Sequence, residues 1–125
     1  MKSVHKGICL YHTESSVLPL IDLYETVGEL VFEIDLPGIE PDDVSIIVWG
    51  DMLVIEGVRK DAGGEAGLRY ICMERGLRRF RRMIKFPHPV NVDEGEASYA
   101  RGVISVRFPK REIKSIAIAV KRVAE

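Results

Sequence analysis

No stretch of eighteen apolar residues occurs anywhere in the 125-residue chain. Its most apolar region, Val44 to Ile55, is interrupted by Ser45, Gly50 and Asp51, which excludes a helix that spans a membrane. Cysteine is scarce. Cys9 and Cys72 stand far apart and outside any C-x-x-C spacing, so they read as reduced thiols rather than as a disulfide framework. Neither charge dominates: 18 Lys and Arg against 19 Asp and Glu leave a formal charge of −1, with no global attraction to nucleic acid or an anionic membrane. The N-terminus carries Lys2, His5 and Lys6 without an apolar run before Ser15 and Ser16, so a secretory signal is not expected and the default compartment is cytoplasmic.

Catalytic signatures are missing as well. There is no P-loop, no H-E-x-x-H, no G-x-S-x-G and no EF-hand loop. The Gly63-Gly64-Glu65-Ala66-Gly67 run lacks the Lys-Ser/Thr pair and the strand-to-helix setting of a phosphate cradle. His5, His12 and His88 are too few and too scattered for a metal site, so neither a metal nor a cofactor is expected. Asp42 and Asp43 are adjacent and would point to opposite faces of a strand, which suits a turn or cap rather than an acid/base pair. No residue supports an enzyme.

What is present is a period of two. With 46% hydrophobic and 30% charged residues, the composition is that of one soluble domain. From Asp22 onward short apolar runs are punctuated by Gly and Pro, an all-β pattern. Leu30, Phe32, Ile34 and Leu36 share one face of a strand that stops at Pro37-Gly38; Val31, Glu33 and Asp35 take the other. In the next strand Val44, Ile46 and Val48 oppose Ile47 and Trp49, so both faces are apolar, as inside a sandwich or at an interface. Gly50-Asp51 suits a two-residue II′ hairpin that returns Met52 to Val58 antiparallel. Arg59 to Arg69 is a loop too long for a tight hairpin. Tyr70 to Phe86 reads as one long strand or two consecutive ones, stopped at Pro87-His88-Pro89. Glu96 to Tyr99, a turn at Ala100-Arg101-Gly102, and Val103 to Phe108 with Ile104, Val106 and Phe108 inward complete the pattern.

Six basic residues, Arg75, Arg78, Arg79, Arg81, Arg82 and Lys85, fall within eleven positions. Nucleic-acid binding would need more aromatic interleaving than Phe80 and Phe86 provide, so a solvated, ion-paired strand face is the expectation. Arg82 alternates onto the apolar face with Phe80, Ile84 and Phe86, where a carboxylate partner is expected.

Several segments, taken in order, resemble the small heat shock proteins of the Hsp20/α-crystallin domain family, bacterial type. Pro19-Leu-Ile-Asp-Leu-Tyr-Glu-Thr26 is similar to the family's first strand, Phe32-Glu-Ile-Asp-Leu-Pro-Gly38 to its A-D-L-P-G segment, and Asp51-Met-Leu-Val-Ile-Glu-Gly57 to its hairpin. Glu74-Arg75, Phe80-Arg-Arg82 and Phe86-Pro87 resemble E-R and F-x-R-x-F-x-[LI]-P. Ala97 to Ile104, with Gly102, Val103 and Ile104 at its end, resembles the diagnostic A-x-x-x-x-G-[VI]-[LI] motif, and Phe108-Pro109-Lys110 follows.

The resemblance implies an antiparallel immunoglobulin-like β-sandwich, the α-crystallin domain, over residues 19–110, with a short N-terminal arm at 1–18 and a C-terminal extension at 111–125. It implies an ATP-independent holdase chaperone that binds partly unfolded client proteins and forms a strand-swapped homodimer, with higher oligomers built on it. The loop from Arg59 to Tyr70 would cross to the partner, with Leu68, Tyr70 and Arg82 at the dimer interface. The groove for tails and clients would lie between Val44, Ile46 and Val48 on one strand and Ala97 and Tyr99 on another. Ile116-Ala-Ile118, overlapping Ile118-Ala-Val120, has the family's I-x-[IV] tail form, although a tether of Arg111 to Ser115 reaches only about 20 Å and also allows an edge strand on its own subunit. A short arm with one aromatic, Tyr11, implies dimers or modest oligomers. The alternatives are a p23-like co-chaperone or interaction module of similar sandwich fold and, less in keeping with the residues, nucleic-acid binding.

Overall fold

A computed structural model describes residues 18–60, 67–75, 79–112 and 115–124. Seven strands form among them: β1 (Ile21–Glu25), β2 (Glu29–Asp35), β3 (Val44–Trp49), β4 (Met52–Val58), β5 (Arg79–Lys85), β6 (Glu96–Ala100) and β7 (Val103–Pro109). They make two antiparallel sheets, ordered β1-β2-β7-β6 and β3-β4-β5. The fold is the expected antiparallel β-sandwich.

Alternation decides which side chains go between the sheets. Leu30, Phe32, Ile34 and Leu36 are buried, as are Leu53, Ile55, Phe80, Ile84, Ile104, Val106 and Phe108. Phe32, Phe86 and Phe108 meet edge to face, with ring centroids 5.2 to 6.1 Å apart, the arrangement that aromatic quadrupoles favour. Two valines depart from the simple inward rule. Val31 and Val54 lie on outer faces yet are almost fully buried. Val31 sits in register between Tyr24 and Arg107, and Val54 between Ile47 and Met83, so longer neighbours shield each central-strand position.

The hairpins follow the turn chemistry. Trp49 pairs with Met52 across Gly50-Asp51, and Gly50 alone takes a positive φ, 61°, as a II′ turn requires. Between β6 and β7 both Arg101 (φ 54°) and Gly102 (φ 80°) are left-handed, the requirement of a type I′ turn. The β1–β2 turn is closed by Thr26, whose Oγ1 accepts from the Glu29 amide at 3.0 Å.

One expectation is corrected. Tyr70 to Phe86 is not a continuous strand: only Arg79–Lys85 joins a ladder, and the described residues 67–75 have no regular structure. A period-two sequence becomes a strand only where an edge with free hydrogen-bonding groups receives it, and 67–75 joins neither of the two sheets formed by the described strands.

Candidate functional site

The side chain of Arg82 orients the two sheets. It lies on the inner face of β5, 2% exposed, and its Nη1 donates to the Pro19 carbonyl at 2.7 Å, just ahead of β1. The β5 edge of one sheet therefore lies over the β1 edge of the other. By elimination β3 and β6 border the opposite side of the sandwich, and neither has a neighbour on its outer side among the described strands. The expected carboxylate is not what this bond reaches; a backbone carbonyl accepts it. Arg82, for which the resemblance implies a place at the dimer interface, is enclosed within its own subunit.

The inward residues of β3 and β6 are the ones the sequence pointed to. Val44, Ile46 and Val48 are half-buried and pack against the core, as does Tyr99. Ala97 and Tyr99 pair in register with Val106 and Ile104, both buried, which puts them on the same inward face. Tyr99 is pinned there by its hydroxyl, which donates to the Leu36 carbonyl at 2.9 Å. Both edges thus combine backbone that no described strand pairs with apolar side chains that the core covers only in part, a surface suited to an added strand. A hollow of about 920 Å³ lies elsewhere, at the end of the small sheet, bordered by Leu18, Val44, Gly57, Val58, Phe80 and Arg79 among others.

Other candidates are scattered. Leu68 and Tyr70 are 44% and 45% exposed, and next to them sequence reasoning missed Ile71 (98%) and Met73 (48%). Arg59 donates to the Arg75 carbonyl and so fixes the far end of this segment near the Pro37-Gly38 turn. The rest of the loop, residues 61–66, and Arg78 lie outside the described residues. In the tail Ile116, Ile118 and Val120 are 79%, 86% and 97% exposed and join no strand, so the described tail does not lie on its own subunit as an edge strand.

The basic cluster is dispersed by the pleat. Arg81 faces Glu56 at 3.4 Å and Lys85 faces Asp51 at 3.6 Å, both partly exposed pairs. A second polar group was not foreseen: His88 Nε2 lies 2.9 Å and Lys110 Nζ 3.3 Å from Glu25 Oε2, joining the chain beyond β5 and the end of β7 to β1. These two contacts hold the Glu25 carboxyl below its ordinary value, the His88 hydrogen bond contributing most and Lys110 next. Among the described residues no three His, Cys, Asp or Glu side chains gather as a metal site would require, and no helix is long and apolar enough to cross a membrane.

Two sheets with this strand order and open borders define an α-crystallin-type sandwich. Residues 22–124 match the Hsp20/alpha crystallin family, and the chain belongs to that family, the small heat shock proteins. It is 31% identical over 100 residues to small heat shock protein C2 of Rickettsia felis, covering 80% of this chain and 65% of that one. The chain spans just under two thirds of the length of such curated relatives. Heat shock protein 16.0 of Schizosaccharomyces pombe matches with a TM-score of 0.71 and 27% identity over 88% of each chain. A small heat-shock protein of Xylella fastidiosa matches with a TM-score of 0.69 and 30% identity, over 84% of this chain and 97% of that one.

Proposed function

We propose that this chain is an ATP-independent holdase that acts in the cytoplasm and binds partly unfolded proteins along its β3 and β6 borders. The observation that carries the reading is the coincidence, on one side of the sandwich, of two edges without a neighbour among the described strands and five inward residues, Val44, Ile46, Val48, Ala97 and Tyr99, incompletely covered by the core. A non-native protein presents complementary features, exposed apolar side chains and unsatisfied backbone. Occupying them lowers the concentration free to self-associate. Such capture uses binding alone, which suits a chain without a nucleotide motif.

Assembly would use the same physics. The exposed apolar run Leu68, Tyr70, Ile71 and Met73 is suited to exchange with a second copy, whose β1 borders its sheet among the described strands. The exposed ladder Ile116, Ile118 and Val120 is suited to the β3–β6 border of a neighbouring subunit. Residues 19–110 would then be the sandwich unit, 1–18 its arm and 111–125 the connecting tail. The test is suppression of the thermal aggregation of an unrelated enzyme, without nucleotide. Light scattering that falls as this protein is added supports the reading; scattering unchanged at several-fold molar excess overturns it.

A further inference from the structure

The outer face of the small sheet has no role in that reading. Three rows cross all three strands in register: Ser45, Glu56 and Arg81; then Ile47, Val54 and Met83; then Trp49, Met52 and Lys85, while Val58 and Arg79 pair beyond the first. The first row and Lys85 are polar, but the centre is apolar, with Ile47 49% and Trp49 69% exposed. Three strands about 4.8 Å apart and six residues long present roughly 300 Å². That is well short of the ~800 Å² per partner typical of a stable protein interface, so a second sandwich packed on this face alone would not hold. It is ample for one extended segment.

The path of the chain points to which segment. Leu18, the first described residue, borders the 920 Å³ hollow, and Ser45, Glu56 and Arg81 border the same hollow. The described chain therefore begins, at Leu18, beside the hollow that the first row of this face also borders. Its seventeen residues extend to more than about 50 Å, whereas successive rows are only about 7 Å apart. Reaching Trp49 from Leu18 uses well under half of that length. The arm's own apolar group is Ile8, Leu10 and Tyr11, and Ile8 and Leu10 alternate as residues of an extended segment must to face one surface together.

We propose that residues 8–11 of the arm lie across the outer face of the β3-β4-β5 sheet of their own subunit, with Ile8 and Leu10 against Ile47 and Trp49. The arm covers an apolar surface distinct from the β3–β6 border, and the inference does not depend on the holdase reading.

Trp49 is the sole tryptophan and reports the contact directly. In the full chain, Ile8→Ser with Leu10→Ser shifts Trp49 emission to the red and raises acrylamide quenching roughly twofold, because the ring passes from covered to openly exposed. Unchanged emission and quenching overturn the proposal. A second full-chain variant, with Cys9→Ser and Cys72→Ser to remove the native thiols, carries Leu10→Cys and Ile47→Cys. Oxidised as a mixture of isotopically light and heavy chains, it forms a disulfide joining peptides of one chain. Mixed light–heavy pairs, which would mean that a neighbour's arm or a second copy covers the face, overturn the proposal, and so does an absence of pairing.

Discussion

Arg82 Nη1 and the Pro19 carbonyl, 63 positions apart in sequence, are 2.7 Å apart inside the sandwich. This contact closes the β5/β1 side and so leaves β3 and β6 as the open pair. Arg82→Met keeps much of the packing volume but deprives the Pro19 carbonyl of its donor. The expected loss is about 1–3 kcal/mol, the usual cost of leaving a buried acceptor unsatisfied. Urea denaturation measures it, and an unchanged midpoint would show that the bond contributes nothing.

Gly102 combines a φ of 80° with a close approach: a Cβ built there meets Pro37 Cα at 3.2 Å. Gly102→Val places a β-branched side chain in a left-handed turn and against a neighbouring turn, at a cost of about 1–3 kcal/mol. Thermal melting of the variant should fall by several degrees. Gly102→Ala, with the same φ and less bulk, should lie between valine and the native residue.

The Glu25 contacts set an acid dependence. Because His88 and Lys110 hold the folded carboxyl below its ordinary 4.5, the stabilisation is fully present above about that pH and is lost as the pH falls through the folded value. The group is exposed, so the effect is small and weakens with salt. Glu25→Gln should flatten that part of the stability curve below pH 4.5 while leaving folding cooperative. A curve that superimposes on the native one at low salt would contradict the linkage.

For the tail, Ile116→Ala with Ile118→Ala should lower the native mass of the assembly to that of the dimer. Both side chains are largely exposed on the described chain, so the melting temperature of the sandwich itself should hold. A fall in melting temperature with no change in mass would mean that the tail serves its own subunit.

Much of this arrangement was legible because a strand in a sandwich writes its environment into every second residue. Leu30 to Leu36 and Ile104 to Phe108 declared their inward faces, and Gly50-Asp51 declared its hairpin. Val44 to Trp49 was apolar on both faces, which left open whether it lay inside or at an interface; it is an edge strand among the described strands, and its outer face carries Ile47 and Trp49, which the described sandwich leaves uncovered. Tyr70 to Phe86 was read as too much strand because alternation registers a capacity to pair and contains no information on whether an edge is within reach. Arg82 was placed correctly on the inner face, but its bond to Pro19 was not legible, since a backbone carbonyl brought close by the fold leaves no side-chain signal. The Glu25, His88 and Lys110 group was hidden for the same reason: three residues spread over more than eighty positions meet only once the sheet is formed.

The central claim is that the β3 and β6 edges receive non-native chains. Amide hydrogen exchange of the full protein, alone and after heating with an aggregation-prone enzyme, tests it most directly. Slowed exchange at Val44–Trp49 and Glu96–Ala100, with β2 and β4 unaffected, is the expected result. Equal exchange at both edges with and without the captured enzyme would contradict it.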